Sequence, residues 1–419
     1  MQLLMKYKRL STYLWTFGSR ILVIGLTAIF GVLSARVLGP VDKGTYTVSI
    51  LIPSLISTVA MLAGPQLVVM DVSKYGRLVY RLHKLLNWSS AVAVAVGLAC
   101  FVMQVTSSSN AFSFITLLLS GTVFIGIALI VSEFLAALLQ ARKQFKALAL
   151  LRVLQIFVPG LMMIVGAIYL GLEGATLGYV FGVLIVGITS WFLWDRAFEV
   201  QQPRRDSGDK IPWGYVLTTN LTLVVLFLSY RADVLVLNAI SNSMEVGIYS
   251  AAVALAELVL VASMSMSTVR APIYARDHSR SLSSDTWQVF GLSLVGSAVI
   301  AILSPVLIPL LFGVEYLESI NATWALLPGI TLLAVYRYIS NAEIIRGHKF
   351  GVLYSCLVSI AVDVGVLCLI GGNMGATGAS LAATLAYASG LAYLLIHRGV
   401  RVNPKSSNVS DLRAFAVRN

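Results

Sequence analysis

Arg20, Arg231 and Arg337 stand inside long apolar runs, and Glu133, Asp233, Glu257, Glu343 and Asp363 keep similar company. A charge facing lipid costs ~2.5–3.5 kcal/mol on insertion scales, so three such arginines would cost roughly 8–10 kcal/mol, comparable to the whole stability of a domain. They are therefore expected to face an internal, hydrated cavity. Counting ~1.5 Å per residue from the basic boundary of each run, Arg20 lies roughly 10 Å deep, Arg337 roughly 13 Å and Arg231 roughly 27 Å, with Arg36 at the opposite mouth. The four form a candidate ladder of positive charge for substrate binding. Arg152, near the start of its run, is expected to snorkel to the headgroups.

The acids leave alternatives open. Arg231 and Asp233, two residues apart, either pair with neighbouring helices merely to neutralise buried charge or serve the cavity. Glu133, Asp233, Glu257 and Asp363 are candidate proton or sodium sites for ion coupling.

Covalent chemistry has no such candidates. The chain has no GxxxxGK[ST] phosphate loop, no HExxH and no GxSxG elbow, and His83, His278, His348 and His397 all fall at ends of apolar runs or between them. Cys100, Cys356 and Cys368 lie within apolar runs without a CxxC or Cys/His cluster, and are read as small buried apolar residues. No enzyme activity, cofactor or metal is expected.

The elements that must position these charges follow from composition. Of the 419 residues 58% are hydrophobic and 11% charged, against ~25% charged in soluble domains, so water alone is an unsuitable solvent. The net charge of +12 is spread over short clusters between apolar runs, which points to an anionic membrane surface rather than nucleic acid. Runs of ~20 apolar residues predict an all-α integral membrane fold of about twelve helices near 13–34, 45–69, 85–105, 112–139, 147–170, 174–194, 213–237, 246–269, 287–311, 322–344, 351–370 and 376–397. The start, with Lys6, Lys8 and Arg9, is read as leading into the first span and not as a cleaved signal.

Lys and Arg gather in the even-numbered connections: Lys74, Arg77, Arg81 and Lys84 in the first, Arg142, Lys143 and Lys146 in the next, and so on through Arg346 and Lys349. The intervening connections hold Arg36 and Lys43 with acidic Asp42, Glu173, Glu245, Glu315 and Glu318. Translocating basic loops is unfavourable, so this alternation puts both termini in the cytoplasm.

The polar stretch 196–211 reads as a cytoplasmic linker between a six-helix lobe at 1–195 and another at 212–397, with a basic tail at 398–419. At an offset of 203, Asp42-Lys-Gly44-Thr-Tyr46 aligns with Glu245-Val-Gly247-Ile-Tyr249, and at 204, Gly171, Gly174 and Ala175 align with Gly375, Gly378 and Ala379. A duplicated even number of helices makes two lobes of like orientation, pseudo-symmetric about an axis along the membrane normal, with a site between them. Gly174, Gly178 and Gly182, like Gly378, Ala382, Ala386 and Gly390, are read as close helix packing within each lobe.

The stretch from Ala35 to Tyr46, with Arg36, Gly39, Pro40 and Gly44, resembles the end of the first helix in the polysaccharide-biosynthesis (O-antigen and capsule) flippase family of the multidrug/oligosaccharidyl-lipid/polysaccharide superfamily. Arg231-Ala232-Asp233 followed by Val246 to Ala252, and Gly375 to Ala379, resemble the same family's later helices. The resemblance implies a V-shaped, two-lobed carrier with a cationic cavity in the bacterial inner membrane. Its substrate would be an undecaprenyl-pyrophosphate-linked oligosaccharide, whose phosphates suit the guanidinium fork. Twelve helices disfavour the peptidoglycan-precursor branch, which typically carries two more. Implied partners are the lipid-linked oligosaccharide, membrane lipids, a polysaccharide polymerase and a chain-length regulator, with no nucleic acid. A cation-coupled multidrug exporter of the same superfamily, and a membrane glycosyltransferase or polymerase, stand as alternatives.

Overall fold

A computed structural model of the protein describes residues 2–75, 84–95, 114–199, 211–261, 263, 264, 266, 282–345 and 349–402. Every regular element among them is helical: α1 (Gln2–Ala60), α2 (Gly64–Tyr75), α3 (84–95), α4 (Phe114–Ala141), α5 (Phe145–Glu199), α6 (Trp213–Leu228), α7 (Ala232–Ile240), α8 (Ser243–Ala256), α9 (Ser283–Leu311), α10 (Ser319–Ile345) and α11 (Lys349–Val402). Six stretches of the described residues are long and apolar enough to cross a membrane, and a seventh forms if α6 and α7, bent by 52°, are taken together.

Three of the six are 39, 50 and 49 residues long, about twice what one crossing takes. Each is broken once, at Gly39 (φ 70), Gly171 (φ 60) and Gly375 (φ 51). Backbone in this left-handed region penalises a Cβ, which glycine lacks. The connections expected at 35–44, 171–173 and 371–375 thus contract to one residue each. The run expected at 45–69 is interrupted instead, at Leu62 and Ala63, both of positive φ. Asn220 of α6 offsets that interruption: its Nδ2 donates to the Val59 carbonyl at 2.8 Å, and its Oδ1 accepts from the Ala63 N–H at 3.2 Å. The backbone groups freed by the turn are thus satisfied from the other half of the chain, as an apolar surround requires.

Packing is closest where the sequence is poorest in side chains. A Cβ on Gly174, Gly178 or Gly182 would lie 2.0–2.4 Å from the backbone of Gly166, Met162 or Pro159, so the two arms of α5 run against each other along the glycine face. Ala382 and Ala386 are buried on the matching face of α11. The larger apolar core joins α8 to α11 around Tyr249, Leu326 and Tyr336. A second core joins α2, α3 and α4 to the end of α5, with Phe134 and Trp194 edge to face at 6.1 Å. Cys356 is buried as expected; Cys368 is exposed, on the outer face of α11, and Cys100 lies outside the described residues.

The halves also meet backbone to backbone. A Cβ on Gly44 would stand 1.7 Å from the Ser243 carbonyl oxygen, and one on Gly247 would stand 1.9 Å from that of Pro40. The repeat offset of 203 maps 44 onto 247 and 40 onto 243, so the contact is reciprocal, as across a twofold axis.

Candidate functional site

A cavity of about 550 Å³ lies between α1 and the group α6, α7, α8 and α10. One wall is a face of the first arm of α1, with Ile24, Thr27, Ala28 and Gly31 at helical spacing. The second arm of α1 adds Lys43, Thr47, Leu51 and Ser54, spaced four, four and three apart. Arg231, Arg337 and Glu257 enter from the opposite half.

Arg231 stands at the break between α6 and α7, where its backbone (φ −141, ψ 0) leaves the helix and begins α7. The bend turns its side chain into the cavity, where Nη2 is 3.7 Å from Glu257 Oε1. Both side chains remain more than a third exposed, so the pair is worth about 0.2–1 kcal/mol and is readily exchanged for another anion. Arg337, on α10, stacks over the Tyr230 ring at 4.2 Å from its centroid, and its Nε has no hydrogen-bond partner. Stacking fixes the guanidinium plane while leaving N–H groups for a ligand. Lys43 Nζ donates to Ser34 Oγ at 2.6 Å and lies 5.4 Å from the Tyr46 ring centroid.

Arg231 and Arg337 thus line one cavity, and Lys43, expected in a connection, joins them. Its helical register with Thr47, Leu51 and Ser54 is the sequence signal that marks it. Arg36 is not among the lining residues: it is exposed, and its Nη2 donates to the Leu310 carbonyl at 2.6 Å, bridging the end of the first arm of α1 to the end of α9. Arg20 lies four residues before Ile24 in the same helix, and its side chain falls outside the described residues.

The acids separate in the same way. Glu133 is taken by Arg152, whose Nη2 donates to Oε2 at 3.0 Å while Gln155 joins the pair; Arg152 is therefore ion-paired and not merely snorkelling. Glu343 is 3.5 Å from Arg398 and Glu257 belongs to Arg231. Asp233, buried, accepts from the Tyr249 hydroxyl and from the Val234 N–H. Asp363, also buried, keeps an Oδ1 without a hydrogen-bond partner. Among the described residues no cluster of three or more His, Cys, Asp and Glu fit to hold a metal occurs.

Contacts between the halves gather around the break in α1. Beside the Gly44–Gly247 contact and the Arg36–Leu310 bond, the Tyr316 hydroxyl donates to the Ala35 carbonyl at 3.1 Å. Burial, and then the Glu315 carboxylate beside it, push the Tyr316 phenol up, so it stays a donor across the physiological range.

Paired long helices bent at glycines, halves meeting reciprocally and a cation-lined chamber between them define a multi-pass membrane protein with a transporter fold. The chain belongs to the family described as polysaccharide biosynthesis protein, whose sequence profile matches residues 10–278. Its fold is similar to that of the lipid II flippase MurJ in an inward closed conformation (TM-score 0.75, 15% identity, covering 93% of this chain and 87% of that one). A MOP superfamily transporter from Pyrococcus furiosus (0.66, 13%, 95% and 96%) is also similar. So is a multidrug resistance MATE family transporter of the MOP superfamily in an outward-facing conformation (0.61, 12%, 94% and 96%). No curated protein sequence matches the chain. At these identities the likeness carries the fold.

Proposed function

We propose that the protein is a flippase that moves an undecaprenyl-pyrophosphate-linked oligosaccharide, an O-antigen or capsule repeat unit, across the bacterial inner membrane by alternating access. The observation that carries this reading is the chamber between the halves, where Lys43, Arg231 and Arg337 share one space. Two phosphates need several cations at once, and guanidinium forks bind phosphate oxygens bidentately. Arg20, in the same helix as Ile24, extends the cationic path, and Arg36 becomes available to substrate when the lobes part and its bond to Leu310 is released.

Counting each glycine-broken helix as two crossings supports the twelve-helix reading, with lobes at 1–195 and 212–397, the linker 196–211 and the tail 398–419. Both termini are cytoplasmic in this reading, and the delivered product passes to a polymerase and a chain-length regulator. Reconstituted vesicles holding a labelled lipid-linked saccharide test it: Arg231→Ala and Arg337→Ala are expected to insert normally yet slow leaflet exchange at least tenfold, the loss of one charge-assisted contact. Unchanged exchange in both overturns the cationic-chamber reading.

Coupling is assigned to Asp233 and Asp363, since Glu133 and Glu257 are each held by an arginine. A cation entering beside Asp363 would meet an oxygen that has no partner in the protein. The same pair, with the MATE likeness in fold, favours a drug exporter as the second reading. Drug resistance lost with Asp233→Asn and Asp363→Asn but retained with Arg231→Ala would establish that reading instead.

A further inference from the structure

The N-terminal half holds another cavity, of about 410 Å³, that shares no lining residue with the chamber. It is framed by the end of α4, the start of α5 and the arm of α5 beyond Gly171. Leu139, Leu150, Leu154 and Val158 make its walls apolar, and Arg142 and Ser190 also line it.

The apolar span of α4 ends at Ala141, so Arg142 is the first residue beyond it, at the depth of lipid headgroups. The turn that follows is tight. The Gln144 N–H donates to the Leu139 carbonyl at 2.9 Å and the Lys143 N–H to that of Gln140 at 3.0 Å, with Lys143 at φ 58. This helix ending usually takes glycine where Lys143 stands. The lysine therefore keeps a cation beside Arg142 in an unfavourable backbone conformation, and exposed Lys146 adds a third. Ser190 is completely buried, yet its hydroxyl has no hydrogen-bond partner in the protein. A buried hydroxyl left so is costly unless something outside the chain meets it.

We propose that this cavity binds an anionic phospholipid, with one acyl chain along the leucine wall, the phosphate at Arg142 and an ester carbonyl accepting from Ser190. A free phosphate would leave the leucines uncovered. A zwitterionic lipid brings its own cation against Arg142, Lys143 and Lys146, whereas an anionic one does not. The site is independent of the transported substrate and ties α4 to both arms of α5.

Thermal unfolding of the full-length protein in detergent tests it, with added phosphatidylglycerol, phosphatidylcholine or inorganic phosphate. Phosphatidylglycerol is expected to raise the midpoint saturably, and the other two to leave it unchanged. Arg142→Gln should weaken the apparent affinity for phosphatidylglycerol about tenfold, the usual scale for losing one charge-assisted hydrogen bond. Leu154→Trp, filling the chain path from a half-buried position, should abolish the shift without lowering the lipid-free midpoint. Should Arg142→Gln fail to fold, Leu154→Trp and Ser190→Ala carry the same test. Equal shifts from phosphatidylglycerol and phosphatidylcholine, a shift reproduced by inorganic phosphate, or full response in Leu154→Trp would overturn the proposal.

Discussion

Arg231 and Arg337 reach the chamber by different means, and their variants should differ accordingly. Arg231 sits at a helix break beside a half-exposed carboxylate, so under the proposed function Arg231→Lys, which keeps charge but loses the fork, should retain part of the exchange activity. Arg337 owes its position to the Tyr230 ring. Tyr230→Leu should therefore raise the substrate concentration needed for half-maximal exchange several-fold while leaving unfolding nearly unchanged, as stacking worth about 0.5–2 kcal/mol would do; a purely structural role for Tyr230 would lower the midpoint instead. Both arginines are legible in the sequence because burying them beside lipid is too costly. Lys43 is not: flanked by Arg36 and Asp42, it looks like part of a polar turn, and only its spacing with Thr47, Leu51 and Ser54 reveals a helix face. Arg36 reads from sequence as a chamber residue because its partner, the Leu310 carbonyl, is 274 residues away and leaves no local trace.

Helix ends carry the next level of information. The connections around Gly39, Gly171 and Gly375 are visible in the sequence but look too long there, because polar residues at an interface read as loop even when they continue a helix. A glycine in the left-handed region reverses direction in one residue, and the flanking turns stay helical. After Gly375 the new arm of α11 is capped from afar, the Ala376 N–H donating to Glu245 Oε2 at 2.7 Å. Glu245→Ala should lower stability by about 0.5–2 kcal/mol, the cost of losing a cap, seen as a lower unfolding midpoint. The interruption at Leu62 and Ala63 has no signal in composition, since neither residue favours positive φ; it is held by Asn220 from the other half. Asn220→Ala strands the Val59 carbonyl and the Ala63 N–H in an apolar setting, and should destabilise by about 1–3 kcal/mol, with unfolding of α2 detectable by faster amide exchange at Leu67 and Val68.

For the whole molecule, the reciprocal contact of Gly44 with Ser243 and of Gly247 with Pro40 is the closure that must separate if the chamber is to face the other way. Gly44→Val places carbon where the Ser243 carbonyl stands, so it should wedge that end apart. Thr47→Cys, a chamber-lining position, would then react faster with a membrane-impermeant maleimide in the Gly44→Val background than alone; equal rates would mean that the contact does not govern access. Matched residues at offsets of 203 and 204 are readable in the sequence, but which of them touch is not, because a match between two stretches leaves their distance open. Four positions make two matched contacts along this seam, although serine stands at 243 where proline stands at 40. The chamber lies apart from that seam: lysine and threonine line one wall, and arginine and glutamate the other. Chamber residues can thus be exchanged while the contacts of Gly44 with Ser243 and of Gly247 with Pro40 stay as they are, because none of those four lines the chamber.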